Sequence, residues 1–269
     1  MVAAYRGRAS AREYPLCADP WALGLAGEEG LAIARAYDEV FPHMELWIAV
    51  RTAFLDGCVR RFAREAEPRQ VVLLGAGFDA RAARLSHPGL RFFEVDQPSS
   101  QGEKLRRLAG LGGYPRESAA YVTCDFERED FLERLEASGA YTHTPTLFVW
   151  EGVTAYLTEG AVRGTLRRIA EGTHPESVVA FDHLRKKIVA GNVRDPRDLA
   201  SRSFVADLGE PLRFGVDDPL PLLYEAGFRR VRTHTFDELA LDSTGTYARE
   251  RAFRFQGLAL ASRAASDLG

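Results

Sequence analysis

Short apolar runs alternate along the chain with segments whose apolar residues recur at helical spacing. The runs are Val71–Leu74, Arg91–Val95, Tyr121–Thr123, Thr146–Trp150 and Ser177–Asp182. The helical segments between them are Ala80–Leu85, Ser99–Ala109, Glu129–Ser138 and Glu159–Glu171. Strands that alternate with helices in this way are typical of a doubly wound, mostly parallel sheet.

The segment before the first apolar run has a different pattern. From Glu28 to about Glu67 the apolar residues keep helical spacing, and Pro42 divides the pattern in two. Residues 1–68 are therefore predicted to form a helical N-terminal cap in front of the sheet.

The last part of the chain predicts one helix and two strands. The helix is Pro219–Ala226, and the strands are Phe228–Thr235 and Arg251–Ala261, with no obvious helix between them. Two strands joined by a loop of about 15 residues pair antiparallel, because a parallel pair needs a crossover helix. The predicted fold class is α/β, with a seven-stranded sheet whose last strand is antiparallel.

Length and composition favour one domain over residues 1–269. A chain of 269 residues, of which 46% are hydrophobic, can bury a large core. We divide it into the cap, a cofactor-binding core at 69–183, a lid or insertion at 184–215, and a C-terminal helix and strand pair at 216–269.

The charged and cysteine residues narrow the range of partners. The net charge of −3 comes from 35 basic and 38 acidic residues that are mixed along the chain, so no nucleic-acid-binding stripe is expected. The three cysteines form no C-x-x-C pair, which predicts reduced thiols and no metal site. Without a long apolar run or a secretion signal, the protein is expected to be cytoplasmic, with no membrane partner.

The first apolar run leads into Gly75-Ala76-Gly77-Phe78-Asp79, which is the most informative motif in the sequence. Glycines allow a tight turn and a close approach of the backbone to a ligand, and the next helix offers free N–H groups, with Asp79 in place to cap it. The motif predicts a nucleotide-type cofactor and leaves S-adenosylmethionine and NAD(P) open. An inert turn is the third possibility.

Carboxylates follow the other predicted strands at the edge where a ligand lies in such a sheet. Asp96 is placed to accept both hydrogen bonds of a ribose diol, and Glu94, on the same face of the strand, competes for this role. Asp125 and Phe126 suit the amine and the ring of adenine, although a helix cap and a core phenylalanine would explain them equally well. Glu151, at the end of a buried run, would face a cationic group.

The sequence resembles the leucine carboxyl methyltransferase-like class I methyltransferases, which include the protein phosphatase carboxyl methyltransferases and bacterial polyketide O-methyltransferases of the tetracenomycin P type. The resemblance covers roughly Asp19 to His183, and the C-terminal third matches weakly. The matching pieces are Asp19-Pro20, Arg51-Thr52, Phe54-Leu55-Asp56, Leu74-Gly75-Ala76-Gly77-Phe78-Asp79, Glu94-Val95-Asp96-Gln97-Pro98, Lys104, Cys124-Asp125-Phe126 and Glu151-Gly152-Val153-Thr154-Ala155-Tyr156-Leu157.

This resemblance implies that the cofactor is S-adenosylmethionine, bound at Gly75 and Gly77. It implies that Arg51 pairs with the methionine carboxylate, although Arg51 would otherwise be interpreted as a solvated helix residue. Asp96 would then hold the ribose, Asp125 and Phe126 would face adenine, and Glu151 would lie by the methionyl portion.

The resemblance also favours O-methylation of a carboxylate on a small molecule, such as a polyketide intermediate of secondary metabolism. A protein C-terminal carboxylate is the alternative acceptor within the family. Tyr156 is the first candidate for a catalytic hydrogen-bond donor to the acceptor, although its ring could equally pack in the core.

Three further interpretations stay open. If the acceptor were a hydroxyl group, Asp182 and His183 would offer an acid-base element. An NAD(P)-dependent oxidoreductase would explain the glycine fingerprint but not the terminal strand pair. A non-catalytic binding protein would retain the methyltransferase fold without the activity. We leave Arg163, Arg167 and Arg168 unassigned, as a solvated helix face.

Overall fold

A computed structural model describes residues 1–65, 69–246 and 255–264. The strands of its central sheet are β1 (Arg69–Leu74), β2 (Leu90–Asp96), β3 (Ala120–Thr123), β4 (Thr146–Trp150), β5 (Val178–Leu184), β6 (Arg230–Thr235) and β7 (Gln256–Ser262). Their order is β3-β2-β1-β4-β5-β7-β6. The first five strands are parallel, and β7 runs antiparallel to both β5 and β6. The predicted seven-stranded sheet and its antiparallel last strand are confirmed.

Eleven helices lie in the described ranges of the chain. They are α1 (Val2–Ser10), α2 (Ala22–Asp38), α3 (Met44–Phe62), α4 (Arg81–Leu85), α5 (Pro98–Ala109), α6 (Phe131–Ala137), α7 (Glu159–Gly172), α8 (Lys186–Val189), α9 (Pro196–Asp207), α10 (Pro219–Ala226) and α11 (Phe236–Thr244). The first three precede the sheet, and Pro42 separates α2 from α3 as predicted. None of the helices among the described residues is both long and apolar enough to cross a membrane.

Strand β1 is apolar along most of its length because both faces of the sheet are covered. All six of its residues are buried. Val71 and Leu73 pack in the core that contains α3, whereas Val72 and Leu74 pack in the core that contains α7. The alternation of side chains along a strand thus places consecutive residues in two different cores.

The expectation of no helix between the last two strands is wrong, because α11 lies between β6 and β7. Thr235 and Glu238 form a capping box: the Thr235 N–H donates to the Glu238 carboxylate over 2.7 Å, and the Thr235 hydroxyl accepts from the Glu238 N–H over 3.3 Å. The predicted antiparallel pairing is still correct, with Thr233 opposite Ala259. Residues 251–254 of the predicted last strand lie outside the described residues.

The strand order places a crevice at the centre of the sheet. The chain leaves β1 for β2 on one side and later returns to β4 on the other, so the helices that follow β1 and β4 diverge. Ligands of open α/β sheets bind at this switch point, beyond the carboxyl ends of the strands. Any ligand site should therefore be sought around the residues that follow β1, β2 and β4.

Candidate functional site

The glycine loop begins directly after β1, and two backbone hydrogen bonds hold its turn in place. The N–H groups of Gly75 and Ala76 donate to the Val95 carbonyl over 2.7 and 3.2 Å, which holds the loop against β2. Both glycines have positive φ, 65° at Gly75 and 47° at Gly77. A Cβ atom on Gly77 would meet only the Gly75 carbonyl, at 4.0 Å, so open space lies above the loop for a ligand.

Gly75 has no room for a side chain. A Cβ atom there would lie 2.4 Å from Cγ2 of Val153, and the φ of 65° is unfavourable for other residues. Gly75→Ala is therefore expected to lower the free energy of unfolding by about 3 kcal/mol, from overpacking and backbone strain together. Urea denaturation measures this change.

Gly102→Ala is the matched control for that substitution. Gly102 lies in α5, where an added Cβ would have nothing within 4 Å, so alanine should raise the stability by about 0.5–1 kcal/mol. Equal behaviour of the two variants would contradict the tight contact between Gly75 and Val153.

Asp96 is the last residue of β2, and its side chain accepts hydrogen bonds that hold the glycine loop in place. One oxygen accepts from the Gly77 N–H over 2.5 Å, and the other accepts from the Gln97 N–H over 2.7 Å. Burial raises the pKa of Asp96, and the two backbone N–H groups partly offset this rise. Since a carboxylate has about four lone-pair sites, each oxygen can still accept a second hydrogen bond, as a ribose diol requires.

Glu94, the predicted competitor for the ribose, is engaged elsewhere. It is fully buried and pairs with the ammonium group of Lys104 over 2.5 Å, and that group also donates to the Asp79 carbonyl. Burial raises the pKa of Glu94 in spite of this partner. Of the two carboxylates, Asp96 is thus the one that reaches the crevice.

Asp125 and Phe126 follow β3, next to the end of β2. Asp125 accepts from the Glu127 N–H over 3.0 Å, and its side chain is 39% exposed. The cap of α6 is Asp130, which accepts from the Leu132 N–H, so Asp125 does not cap that helix and instead holds the turn that follows β3. The Phe126 ring is half-buried, with its centroid 6.4 Å from that of Trp150.

Arg51, from α3 in the cap, reaches the carboxyl ends of β4 and β5. Its Nε donates to Glu151 over 3.1 Å, and its Nη1 donates to Asp182. Burial alone would lower the pKa of Arg51, but the two carboxylates outweigh it and raise the pKa. A guanidinium group has five N–H donors, so Arg51 keeps donors for a further carboxylate.

Arg81 is the second partner of Glu151. Its fully buried guanidinium contacts three carboxylates: Asp56 at 2.7 Å, Glu151 at 2.9 Å, and Asp79. Burial alone would raise the pKa of Glu151, but Arg51 and Arg81 reverse the effect and lower it. Glu151 is therefore ionised at neutral pH, which the predicted contact with a cationic group requires. Asp79 also accepts from the Arg81 N–H over 2.7 Å, at the predicted start of the helix.

The same buried ion pairs extend to the N-terminal helix. Arg84 contacts Asp56 over 3.0 Å, and Arg6 contacts Asp19 over 2.7 Å. Arg6 also donates to the Phe78 carbonyl over 2.6 Å, within the glycine loop. Ion pairs and a hydrogen bond from a charged side chain thus connect the cap to the glycine loop at the base of the crevice.

A cavity of about 110 Å³ opens beside Arg51 and Asp182. Its walls come from the cap, from the loop after β4, and from the 184–215 segment, and they include Tyr37, Phe41, Trp47, Tyr156, His183 and Ile188. Burial raises the pKa of Tyr156, so its phenol stays protonated at neutral pH. The cavity is mainly apolar, and Tyr156 is one of its hydroxyl donors.

Asp182 links the cavity to the crevice, a position different from the acid-base role that the sequence suggests for it beside His183. One carboxylate oxygen accepts from the Gly152 N–H over 2.6 Å, while the other accepts from Arg51. The Asp182 carbonyl accepts from the Thr154 hydroxyl over 2.8 Å. Its place near the carboxyl end of β5 is a signal that sequence analysis could use, because ligands lie at that edge. Arg81 offers no such signal, since its role depends on partners far away in the sequence.

Comparisons with known proteins identify the family of the chain. Residues 1–170 match the family described as leucine carboxyl methyltransferase. A protein of Mycolicibacterium vanbaalenii, provisionally named S-adenosyl-L-methionine-dependent methyltransferase, is 34% identical, with 95% of this chain and 85% of that protein aligned. A protein of Mycolicibacterium gilvum with the same provisional name is 36% identical over 89% of this chain and 78% of its own length.

Solved structures show the same fold at low sequence identity. A DUF574 family protein from Streptomyces avermitilis superimposes with a TM-score of 0.68 at 16% identity, over 98% of this chain and 97% of its own. A methyltransferase from Thermobifida fusca, named as such provisionally, gives 0.62 at 14% identity, over 89% and 91%.

The sheet order and the glycine loop are those of a class I methyltransferase. The match over residues 1–170 and the relatives in the mycobacteria show that the chain belongs to the leucine carboxyl methyltransferase family. The predicted family is confirmed, and so is the predicted cofactor, which the names of these relatives specify as S-adenosylmethionine.

Proposed function

We propose that this methyltransferase transfers the methyl group of S-adenosylmethionine to a carboxylate oxygen of a small apolar acid, such as an aromatic polyketide intermediate, and forms a methyl ester. The observation that carries the proposal is the position of the aromatic cavity. Arg51, Gly152 and Asp182 belong both to its wall and to the edge of the crevice, so an acceptor in the cavity would lie next to the cofactor.

The residues of the crevice fit the cofactor in the roles that the sequence predicts. The open space over Gly77 would receive the nucleoside, Asp96 would accept from the ribose, and Asp125 with Phe126 would face adenine. The remaining donors of Arg51 would bind the methionine carboxylate, and the Glu151 carboxylate would lie by the methionyl portion. When bound, S-adenosylmethionine supplies an electrophilic methyl group on a sulfonium ion.

The cavity residues would orient the acceptor and exclude water. A carboxylate is ionised near pH 7 and needs no general base, so the protein has to align the acceptor oxygen with the methyl group in a dry site. Tyr156 would donate a hydrogen bond to the carboxylate, because its raised pKa keeps the proton on the phenol. Aromatic walls such as Trp47 and Phe41 would hold an apolar ring.

A hydroxyl acceptor is the second candidate, and His183 is the observation that favours it. The His183 Nδ1 atom is buried and has no hydrogen-bond partner among the described residues, and the side chain lines the cavity. Burial lowers the pKa of His183, so the imidazole is neutral at pH 7 and able to accept a proton.

A matched pair of acceptors tests the proposal. Naphthoic acid and naphthol share one ring system and differ in the acceptor group, and the methylated product of each is measured by mass spectrometry. We expect methyl naphthoate to form at the higher initial rate. Faster methylation of naphthol would reject the carboxylate and support His183 as the base.

Tyr156→Phe is expected to lower kcat for the acid by about 10–100-fold, because the hydrogen bond that orients the carboxylate is lost. Affinity for S-adenosylhomocysteine, measured by calorimetry, should stay unchanged. The matched control is Tyr224→Phe, whose tyrosine is 47% exposed on α10 and should not affect the rate. An unchanged kcat in Tyr156→Phe would remove Tyr156 from the mechanism.

A further inference from the structure

Helix α9 presents one face to the proposed acceptor cavity. Asp198, Ser201, Arg202 and Val205 line the cavity, and their spacing of three, four and seven residues places them on a single side of the helix. Of the α9 residues only Val205 is buried. This segment of the predicted lid therefore contributes more to the cavity wall than to the protein core.

Contacts with the cap and with α8 hold this face in position. The Tyr37 hydroxyl and the Ser201 hydroxyl are hydrogen-bonded at 2.5 Å, and the Tyr37 and Phe204 rings pack with centroids 5.1 Å apart. Arg202 donates from Nε to the Val189 carbonyl over 3.1 Å. The Arg202 guanidinium is thus fixed at the wall by one of its five donors.

Arg202 differs from the buried arginines of the protein in its lack of a carboxylate partner. Five arginines whose side chains are less than a tenth exposed pair with acids, and these are Arg6, Arg51, Arg69, Arg81 and Arg84. Arg202 is half-buried in the cavity wall and makes no ion pair with any residue that the structure describes. Its charge is available to a ligand.

Arg51 is the other arginine of the wall, and its remaining donors are those proposed for the methionine carboxylate of the cofactor. The charge of Arg51 is met by Asp182 and Glu151. Asp198 is partly buried, which raises its pKa, and the cations that act on it are Arg197 and Lys187. Of the two arginines in the wall, Arg202 is therefore the one left to attract an anionic group of the acceptor.

We propose that Arg202 determines acceptor specificity by binding a second carboxylate, so that the acceptor is an apolar dicarboxylic acid with one carboxylate at Tyr156 and the other at α9. This inference rests on the proposed function and adds the class of acid. The guanidinium group of an arginine can donate two parallel hydrogen bonds to one carboxylate. This geometry explains why an arginine, and not a lysine, lies at this position of the wall.

Calorimetry on the full-length protein saturated with S-adenosylhomocysteine tests the inference without turnover. The probes are naphthoic acid and naphthalene dicarboxylic acid. We expect the dicarboxylate to bind about 10-fold more tightly, as one additional charged hydrogen-bonded pair should provide. Arg202→Gln should remove this preference and leave the affinity for naphthoic acid unchanged, whereas Arg202→Lys should keep part of it.

Arg197→Gln is the matched control, because Arg197 lies on the same helix but is exposed and pairs with Asp195. It should bind both acids like the wild-type protein. Binding of both acids with equal affinity, or a preference that survives in Arg202→Gln, would overturn the inference and leave the proposed function intact. If neither acid bound to the wild-type protein, the inference and the small-acid acceptor would both be wrong.

Discussion

Replacement of Arg81 by alanine is expected to lower the free energy of unfolding by about 3–5 kcal/mol, the largest stability effect that we predict for a single side chain. Arg81 is fully buried and contacts Asp56, Asp79 and Glu151. Its removal leaves these carboxylates buried with too little positive charge, which costs far more than the loss of an exposed ion pair. Urea denaturation, followed by circular dichroism, measures the change.

Arg163→Ala is the matched control for this prediction. Arg163 also pairs with two acids, Glu159 at 2.8 Å and Glu225 at 2.6 Å, but its side chain is 40% exposed. Water screens such pairs, so the loss should stay below about 1 kcal/mol. Similar losses in Arg81→Ala and Arg163→Ala would show that the buried ion pairs around Glu151 do not support the fold.

Asp96→Ala is expected to weaken the binding of S-adenosylhomocysteine by about 30-fold, or roughly 2 kcal/mol, as the ribose loses its hydrogen bonds to a carboxylate. The same substitution frees the Gly77 N–H, which now donates to Asp96 over 2.5 Å. Part of the loss should therefore come from a less ordered glycine loop. Isothermal titration calorimetry gives the affinity, and thermal unfolding shows whether the variant is folded.

The control for Asp96→Ala is Glu103→Ala, which changes the net charge equally. Glu103 lies on α5 and pairs with Arg106 and Arg107 at the surface, so the affinity should not change. An unchanged affinity in Asp96→Ala would show that the ribose site is misplaced. Glu94 would then be the next candidate, in spite of its pairing with Lys104.

The parallel part of the fold follows from the sequence because each element carries its own local signal. The apolar residues of β1 and β4 form continuous runs, as strands covered on both faces do, and the glycines come directly after the first run. Helix α11 carries a local signal too, the Thr235 and Glu238 capping box, but its apolar face is too short to predict a helix from periodicity. Strand β7 still pairs antiparallel with β6, with Arg232 opposite Leu260.

Sequence analysis can predict a residue of the candidate site only when the residue follows or ends a strand, because that position fixes its location at the edge of the sheet. Gly75, Asp96 and Glu151 lie at strand ends, and the structure brings them to one edge of the sheet. Arg81 and Asp182 depend on ion pairs with distant residues, Asp56 and Arg51, which lie 25 and 131 positions away and which local patterns do not encode. The candidate cavity needs three separate segments, and its Arg202 gains meaning only because no acid among the described residues forms an ion pair with it.

The position of methylation on one molecule that offers both acceptor groups is the most direct test of the account. Hydroxynaphthoic acid is incubated with the protein and S-adenosylmethionine that carries a labelled methyl group, and the product is then treated with alkali. The account predicts a methyl ester, so the label should be released as methanol. Label that stays in the product as an alkali-stable methyl ether would contradict carboxylate methylation and would identify the hydroxyl group as the acceptor.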